Sequence, residues 1–177
     1  MRVRKAGGIK PLVALVRGGT DIQKEEAADA LFNLAANNDD NKVRIAQAGG
    51  IEPLVGLALG GTDAQKEEAA AALANLAGNA ECQVAIAVVG GIVPLVVLAR
   101  DGTDAQKENA AAALASLAGD ANNKVAIARA GGIKPLVALA AGGTDAQKQW
   151  AAWAIWNLAI DASNQVAISP DLYHLPS

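Results

Sequence analysis

The side chains capable of covalent chemistry are few. The 177 residues contain one histidine, His174, and one cysteine, Cys82. A nucleophile of the Cys–His or Ser–His type needs two such groups held together by a scaffold. His174 stands in the tail SPDLYHLPS, and Cys82 sits at a position filled elsewhere by Asn41, Asn123 and Asn164. No spacing of His, Cys or carboxylates suggests a metal site. The glycines come as pairs rather than as a phosphate-binding GxGxxG or P-loop. The expected reading is a protein that is not an enzyme and carries no cofactor.

Side chains suited to binding are better supplied. Asn33, Asn75, Ser116 and Asn157 recur in equivalent strings, ALFNL, ALANL, ALASL and AIWNL. Seven positions before them stand Glu26, Glu68, Asn109 and Trp150, and four before them Asp29, Ala71, Ala112 and Trp153. Spacings of three, four and seven share one face of a helix. A carboxamide offers donors and an acceptor, the complement of a peptide unit. Carboxylates at Glu26, Glu68 and Asp29 would favour a basic ligand. Trp150 and Trp153 provide a platform for stacking or cation–π contact. The bland alternative is that the asparagines bond locally or to water and the acids form a solvated face. Trp156, offset from this stripe and equivalent to Phe32, is expected to cover the last unit, or the tail with Leu172, Tyr173 and Leu175 to fold back on it.

The elements that must position this stripe are repeats. AGGIxPLV begins at Ala6, Ala48 and Ala130, with the variant VGGIVPLV at Val89. TDxQK begins at Thr20, Thr62, Thr103 and Thr144, intervals of 42, 41 and 41 residues. Such a period is the signature of stacked supersecondary units. Each unit reads as three helices. The first is short, capped by Asn41 or Asn123 and ended by Gly49 or Gly131 at a positive φ. The second carries Pro11, Pro53, Pro94 or Pro135 in its first turn, where the missing N–H is harmless. The third opens with a Thr-Asp-x-Gln capping box and buries Leu73, Leu76, Leu114, Leu117, Ile155 and Leu158. The expected boundaries are about 1–36, 37–78, 79–119 and 120–160, an aborted fifth first helix at 161–168, and an irregular tail at 169–177. One unit cannot bury its own faces, whereas a stack can.

The pattern NxxxIxxAGGIxPLVxLx–GT–QKEEAAxALxNLA, spread over Ala6 to Ile168, resembles the armadillo repeat. The resemblance implies an all-α, right-handed superhelix of four three-helix repeats, with third helices lining a concave groove for extended peptides or partner proteins. It also implies that the asparagine binds ligand backbone, matched at Asn33, Asn75 and Asn157 and replaced at Ser116. A tryptophan four residues earlier, matched at Trp153 alone, would hold aliphatic stems of Lys or Arg. The peptide-binding set is therefore Asn33, Asn75, Ser116, Asn157, Trp150, Trp153, Glu26, Glu68, Asp29 and Asn109. The near-identity of the units fits recent duplication or a consensus-like engineered array.

Composition narrows the rest. Ala supplies 42 residues, aromatics are 3%, and the formal net charge is -3. That balance argues against nucleic acid or an anionic membrane as the partner. The longest uncharged apolar stretch, Val84 to Ala99, is shorter than a membrane span and holds Gly90, Gly91 and Pro94. The expected partner is a protein or an extended, basic peptide, and the expected location the cytoplasm. The alternative function is a structural or engineered module without a ligand, associating as a homo-oligomer through uncapped end faces.

Overall fold

The computed structural model describes residues 8–161 and 164. Its described residues form eleven α-helices. Unit 1 contributes α1 (Ile9–Gly18) and α2 (Asp21–Ala35). Unit 2 comprises α3 (Asp39–Gln47), α4 (Ile51–Gly60) and α5 (Asp63–Leu76), and unit 3 α6 (Ala80–Val88), α7 (Ile92–Asp101) and α8 (Asp104–Leu117). Unit 4 is α9 (Ala121–Arg129), α10 (Ile133–Gly142) and α11 (Asp145–Ala159). Apart from Asp161 and Asn164, the fifth first helix and the tail, with His174, lie outside the described residues.

The glycine pairs make the corner of each unit. Gly49, Gly90 and Gly131 adopt φ of 74°, 81° and 77°, a left-handed conformation that side chains disfavour. The following glycine then donates its N–H back to the helix just ended: Gly91 N to Ile86 O at 2.8 Å, with equivalents at Gly50 and Gly132. This is a Schellman closure, and it turns α6 into α7 at 86°. The second glycine is needed for space. A Cβ on Gly91 would lie 2.7 Å from Ile86 Cγ2 and 3.0 Å from Val55 Cγ2 of the preceding unit.

All four expected capping boxes form. Thr20, Thr62, Thr103 and Thr144 accept from Gln23, Gln65, Gln106 and Gln147, and each glutamine reaches back to its threonine N–H. The first-helix caps differ from expectation. Asn38 and Asp120, not Asn41 and Asn123, accept the free amides of α3 and α9. Asn41 and Asn123 are the residues whose N–H groups are capped, each at 3.0 Å. Their own carboxamides point into the stack, Asn41 Nδ2 donating to Leu34 O at 2.8 Å and Asn123 Nδ2 to Gln83 O at 3.4 Å.

Rows of identical apolar positions form one continuous core. Ile45, Ile86 and Ile127 from first helices, Leu54, Leu95 and Leu136 from second helices, and Leu73, Leu76, Leu114, Leu117 and Leu158 from third helices are fully buried. Ile155, expected with them, is half-buried in the last described unit. Burying one such side chain stabilises by roughly 1.5–3 kcal/mol. The third helices α2, α5, α8 and α11 lie side by side in extended contact, whereas α1, α4, α7 and α10 touch their counterparts sparsely. Alanines between the third helices permit that approach: Ala69, Ala70, Ala110 and Ala111 have no exposed surface. Closer packing on one side curves the stack, so the third helices line its inner face.

A concave face of third helices

The glutamines of the capping boxes also join unit to unit. Gln106 Nε2 donates to Asp63 O at 2.8 Å, Gln147 Nε2 to Asp104 O at 2.8 Å, and Gln65 Nε2 to Asp21 O at 3.0 Å. All three are about 2% exposed. Gln23, which heads unit 1, is exposed and among the described residues makes the two box bonds alone. This second role is missed by the sequence reading; its one signal is that the glutamine never varies among the four boxes.

The asparagine stripe uses the same device at the other end of the helix. Asn75 Nδ2 donates to Phe32 O and Asn157 Nδ2 to Ala115 O, both at 3.1 Å and both across a unit boundary. Asn109 Nδ2 reaches Glu67 O at 3.3 Å in the same way. Asn75 and Asn157 remain half-exposed. Each therefore has one N–H fixed to the neighbouring helix, and among the described residues Oδ1 and the second N–H have no protein partner. Ser116 lacks the reach, and among the described residues its hydroxyl has no partner. At that junction Gln83 Nε2 donates instead to Ser116 O at 3.0 Å and to Ala77 O at 2.9 Å. Asn33 is also different. Its Nδ2 turns inward to its own helix, bonding Asp29 O at 3.0 Å and Asp29 Oδ1 at 2.9 Å, so Asp29 is engaged as well.

Charge and aromaticity divide along the array. Glu26 is exposed and Glu68 half-exposed. Partial burial, with Asp29, Glu67, Glu25 and Glu26 around it, pushes the Glu68 carboxyl above the ordinary carboxylate range. A cation brought there would offset the repulsion among these carboxylates. At the other end Trp150 is half-buried and Trp153 is 45% exposed, their ring centroids 5.6 Å apart and planes inclined at 35°. Trp156 is 62% exposed, whereas its counterparts Phe32 and Ala74 are half-buried and Ala115 is buried.

Cys82 is fully buried, its Sγ donating to Lys42 O at 3.6 Å. Burial, with a smaller contribution from Glu81, pushes its thiol above the ordinary range, the reverse of what a nucleophilic cysteine requires. Among the described residues no group of three His, Cys, Asp or Glu could hold a metal ion, and no single helix is long and apolar enough to cross a membrane. A cleft of about 830 Å³ lies away from the stripe, between α1 and α4, with Arg17, Lys24, Glu52 and Pro53 on its walls.

The family model for the armadillo/beta-catenin-like repeat matches residues 38–78 and 120–160. Crystallised "computationally designed armadillo repeat proteins for modular peptide recognition" are similar in sequence and fold: 30% identity, TM-score 0.88, covering 94% of this chain and 71% of that one. This chain belongs to the armadillo repeat family. A second designed armadillo repeat protein, solved in complex with the peptide (KR)4, is 29% identical with a TM-score of 0.87, covering 97% of this chain and 75% of that one. A crystallised engineered protein is 36% identical with a TM-score of 0.89 over 94% of this chain, which spans 41% of that protein's length. No curated protein matches. The armadillo solenoid and its likeness to engineered, peptide-recognising arrays are thus established.

Proposed function

We propose that this armadillo array is a binding module rather than an enzyme, and that it holds an extended peptide along its third helices. The observation that carries the reading is the pair Asn75 and Asn157. Each carboxamide is anchored by one N–H to the preceding helix, which fixes its rotamer and leaves an acceptor and a donor for peptide main chain. Such preorganisation lowers the entropy cost of binding. Adjacent helices pack roughly 8–10 Å apart and an extended chain advances roughly 3.3 Å per residue, so about two peptide residues pass each unit. Main-chain bonding at that spacing is indifferent to sequence. Selectivity would come from Glu26 and Glu68, favouring Lys or Arg, and from Trp150 and Trp153, stacking on aliphatic or cationic side chains. Asn109 and Asn33 act as supports, Asn33 through Asp29. The likeness to an array in complex with (KR)4 supports a basic ligand.

The test is a titration with an alternating Lys/Arg peptide at low salt, followed by tryptophan emission. The expected result is a saturable change that weakens with salt and falls several-fold in affinity in Asn157→Ala. No change in emission, or equal binding by the variant, refutes the reading. The exposed Trp156 and Ile160, 62% and 57%, favour a second reading, stacking of copies through the face of unit 4. Molecular mass growing continuously with concentration would mark it.

A further inference from the structure

Unit 3 departs from its neighbours on the outside of the solenoid. Val84, Val88, Val89, Val93 and Val97 are 52%, 79%, 41%, 56% and 38% exposed. Val84 and Val88 are one turn apart on α6, Val93 and Val97 one turn apart on α7, and Val89 sits at the corner between them. The equivalent positions elsewhere are mostly polar or small. Val88 corresponds to Gln47 and Arg129, Val93 to Lys10, Glu52 and Lys134, and Val97 to Ala14, Gly56 and Ala138. Beyond Val97, Arg100 and Asp101 neutralise each other at 2.7 Å. Val84 recurs as Val43 and Val125, but the exposed Val88, Val89, Val93 and Val97 are not needed for the helices or the stack, since units 2 and 4 build both without them.

The charges on either side are arranged in a self-complementary way. In the row of Val93, the unit before carries Glu52 and the unit after carries Lys134, both exposed. In the row of Val88, the exposed Arg129 on the later side has the uncharged, exposed Gln47 as its counterpart on the earlier side, so the complementary pair is Glu52 with Lys134. A two-fold axis through unit 3 sets unit 2 of one copy against unit 4 of the other. Valine then meets valine at the centre, and Glu52 of each copy meets Lys134 of its partner. An isologous contact needs a self-complementary patch, and an apolar centre with opposite charges one step away in each direction is one such patch. Glu52 already has a 3.7 Å contact with Arg17, but both side chains are largely exposed, so that pair is weak and leaves Glu52 available. Val97 also meets small flanks, Gly56 and Ala138, which offer it room.

We propose that the occupant of this surface is a second copy of the chain, giving a two-fold dimer joined back to back through unit 3 with both inner faces open. This differs from end-to-end stacking and is independent of the peptide groove. The experiment is sedimentation equilibrium of the full chain across a wide concentration range. Mass should rise from monomer to dimer and stop there. Val93→Lys, which installs the residue units 1 and 4 carry at that position and so suits the fold, should raise the dimer Kd at least tenfold, because two valines lose their apolar contact in each dimer. Glu52→Lys should weaken the dimer by a similar factor, and Glu52→Lys combined with Lys134→Glu should restore it to within a few-fold. Asn157→Ala should leave mass unchanged while altering peptide binding. A monomer at every concentration, growth past the dimer, indifference to Val93→Lys, or no rescue by the double exchange would each overturn the proposal.

Discussion

In units 2 to 4 the glutamine that closes the capping box carries a second, inter-unit bond, and Gln147→Glu separates the two roles. Glutamate is a favoured partner in a capping box, so its carboxylate can still accept from Thr144 N, a contact that Gln147 Oε1 makes at 3.1 Å. It cannot donate. The 2.8 Å bond from Gln147 Nε2 to Asp104 O is lost, and a carboxylate is placed against that carbonyl and near Asp104 Oδ1, 3.4 Å from the native nitrogen. Loss of the bond costs about 1 kcal/mol, and an acceptor left facing an acceptor in a site about 2% exposed adds about 1–3 kcal/mol. The expected total is about 2–4 kcal/mol. Gln23→Glu is the control: Gln23 is exposed and among the described residues makes box bonds alone, so it should change stability by less than about 0.5 kcal/mol. All three tryptophans lie in α11, so urea unfolding followed by their emission reports unit 4, while far-UV circular dichroism reports the whole array. If Gln147→Glu costs no more than Gln23→Glu, the inter-unit role is refuted.

Three further perturbations follow from the same contacts. Gly91→Ala should destabilise by about 1–3 kcal/mol in urea melts, because its Cβ would meet Ile86 and Val55 within 3.0 Å; a neutral result would contradict the close packing at the corner. Glu68→Gln should stabilise the protein at pH 7. The folded carboxyl titrates above its unfolded value, so its charged form costs stability above the folded pKa, and the cost disappears as pH falls through it. The variant's advantage should therefore vanish in melts below about pH 4, and a pH-independent advantage would exclude this cause. Ser116→Asn should supply the missing step of the asparagine row, raising stability by about 0.5–1 kcal/mol and tightening the alternating Lys/Arg peptide several-fold by titration; weaker peptide binding would refute the role given to Asn75 and Asn157.

The repeat, the corners and the third-helix caps are legible in the amino-acid order because each depends on local chemistry. Gly49, Gly90 and Gly131 mark backbone that only glycine adopts freely, and Thr-Asp-x-Gln closes a bonded ring within four residues. The first-helix caps are misread because the run Asn37-Asn38-Asp39-Asp40-Asn41 contains several groups able to cap. What decides among them is how one helix packs on the one before: Leu34 O of α2 captures the Asn41 carboxamide of α3. The same limit applies to the site. Helical spacing alone puts Asn75 and Asn157 on one face with Glu68 and Trp150, but the loss of one donor from each asparagine to the previous helix depends on how closely the units stack. Asn33 looks equivalent by spacing, yet it bonds to Asp29 in its own helix. The valines of unit 3 are visible as an apolar stretch from Val84 to Ala99. Their exposure emerges only once the corner at Gly90 places α6 and α7 on outer surfaces.

The most direct measurement is of the side-chain amide protons of Asn75 and Asn157 by NMR as the alternating Lys/Arg peptide is added. Both carboxamides should shift with the same saturation curve, together with the Trp150 and Trp153 indole protons, while Asn38 and Asn41 on the first-helix edge stay unmoved. Saturable binding that leaves Asn75 and Asn157 unshifted would place the peptide elsewhere and contradict a main-chain clamp on the third helices.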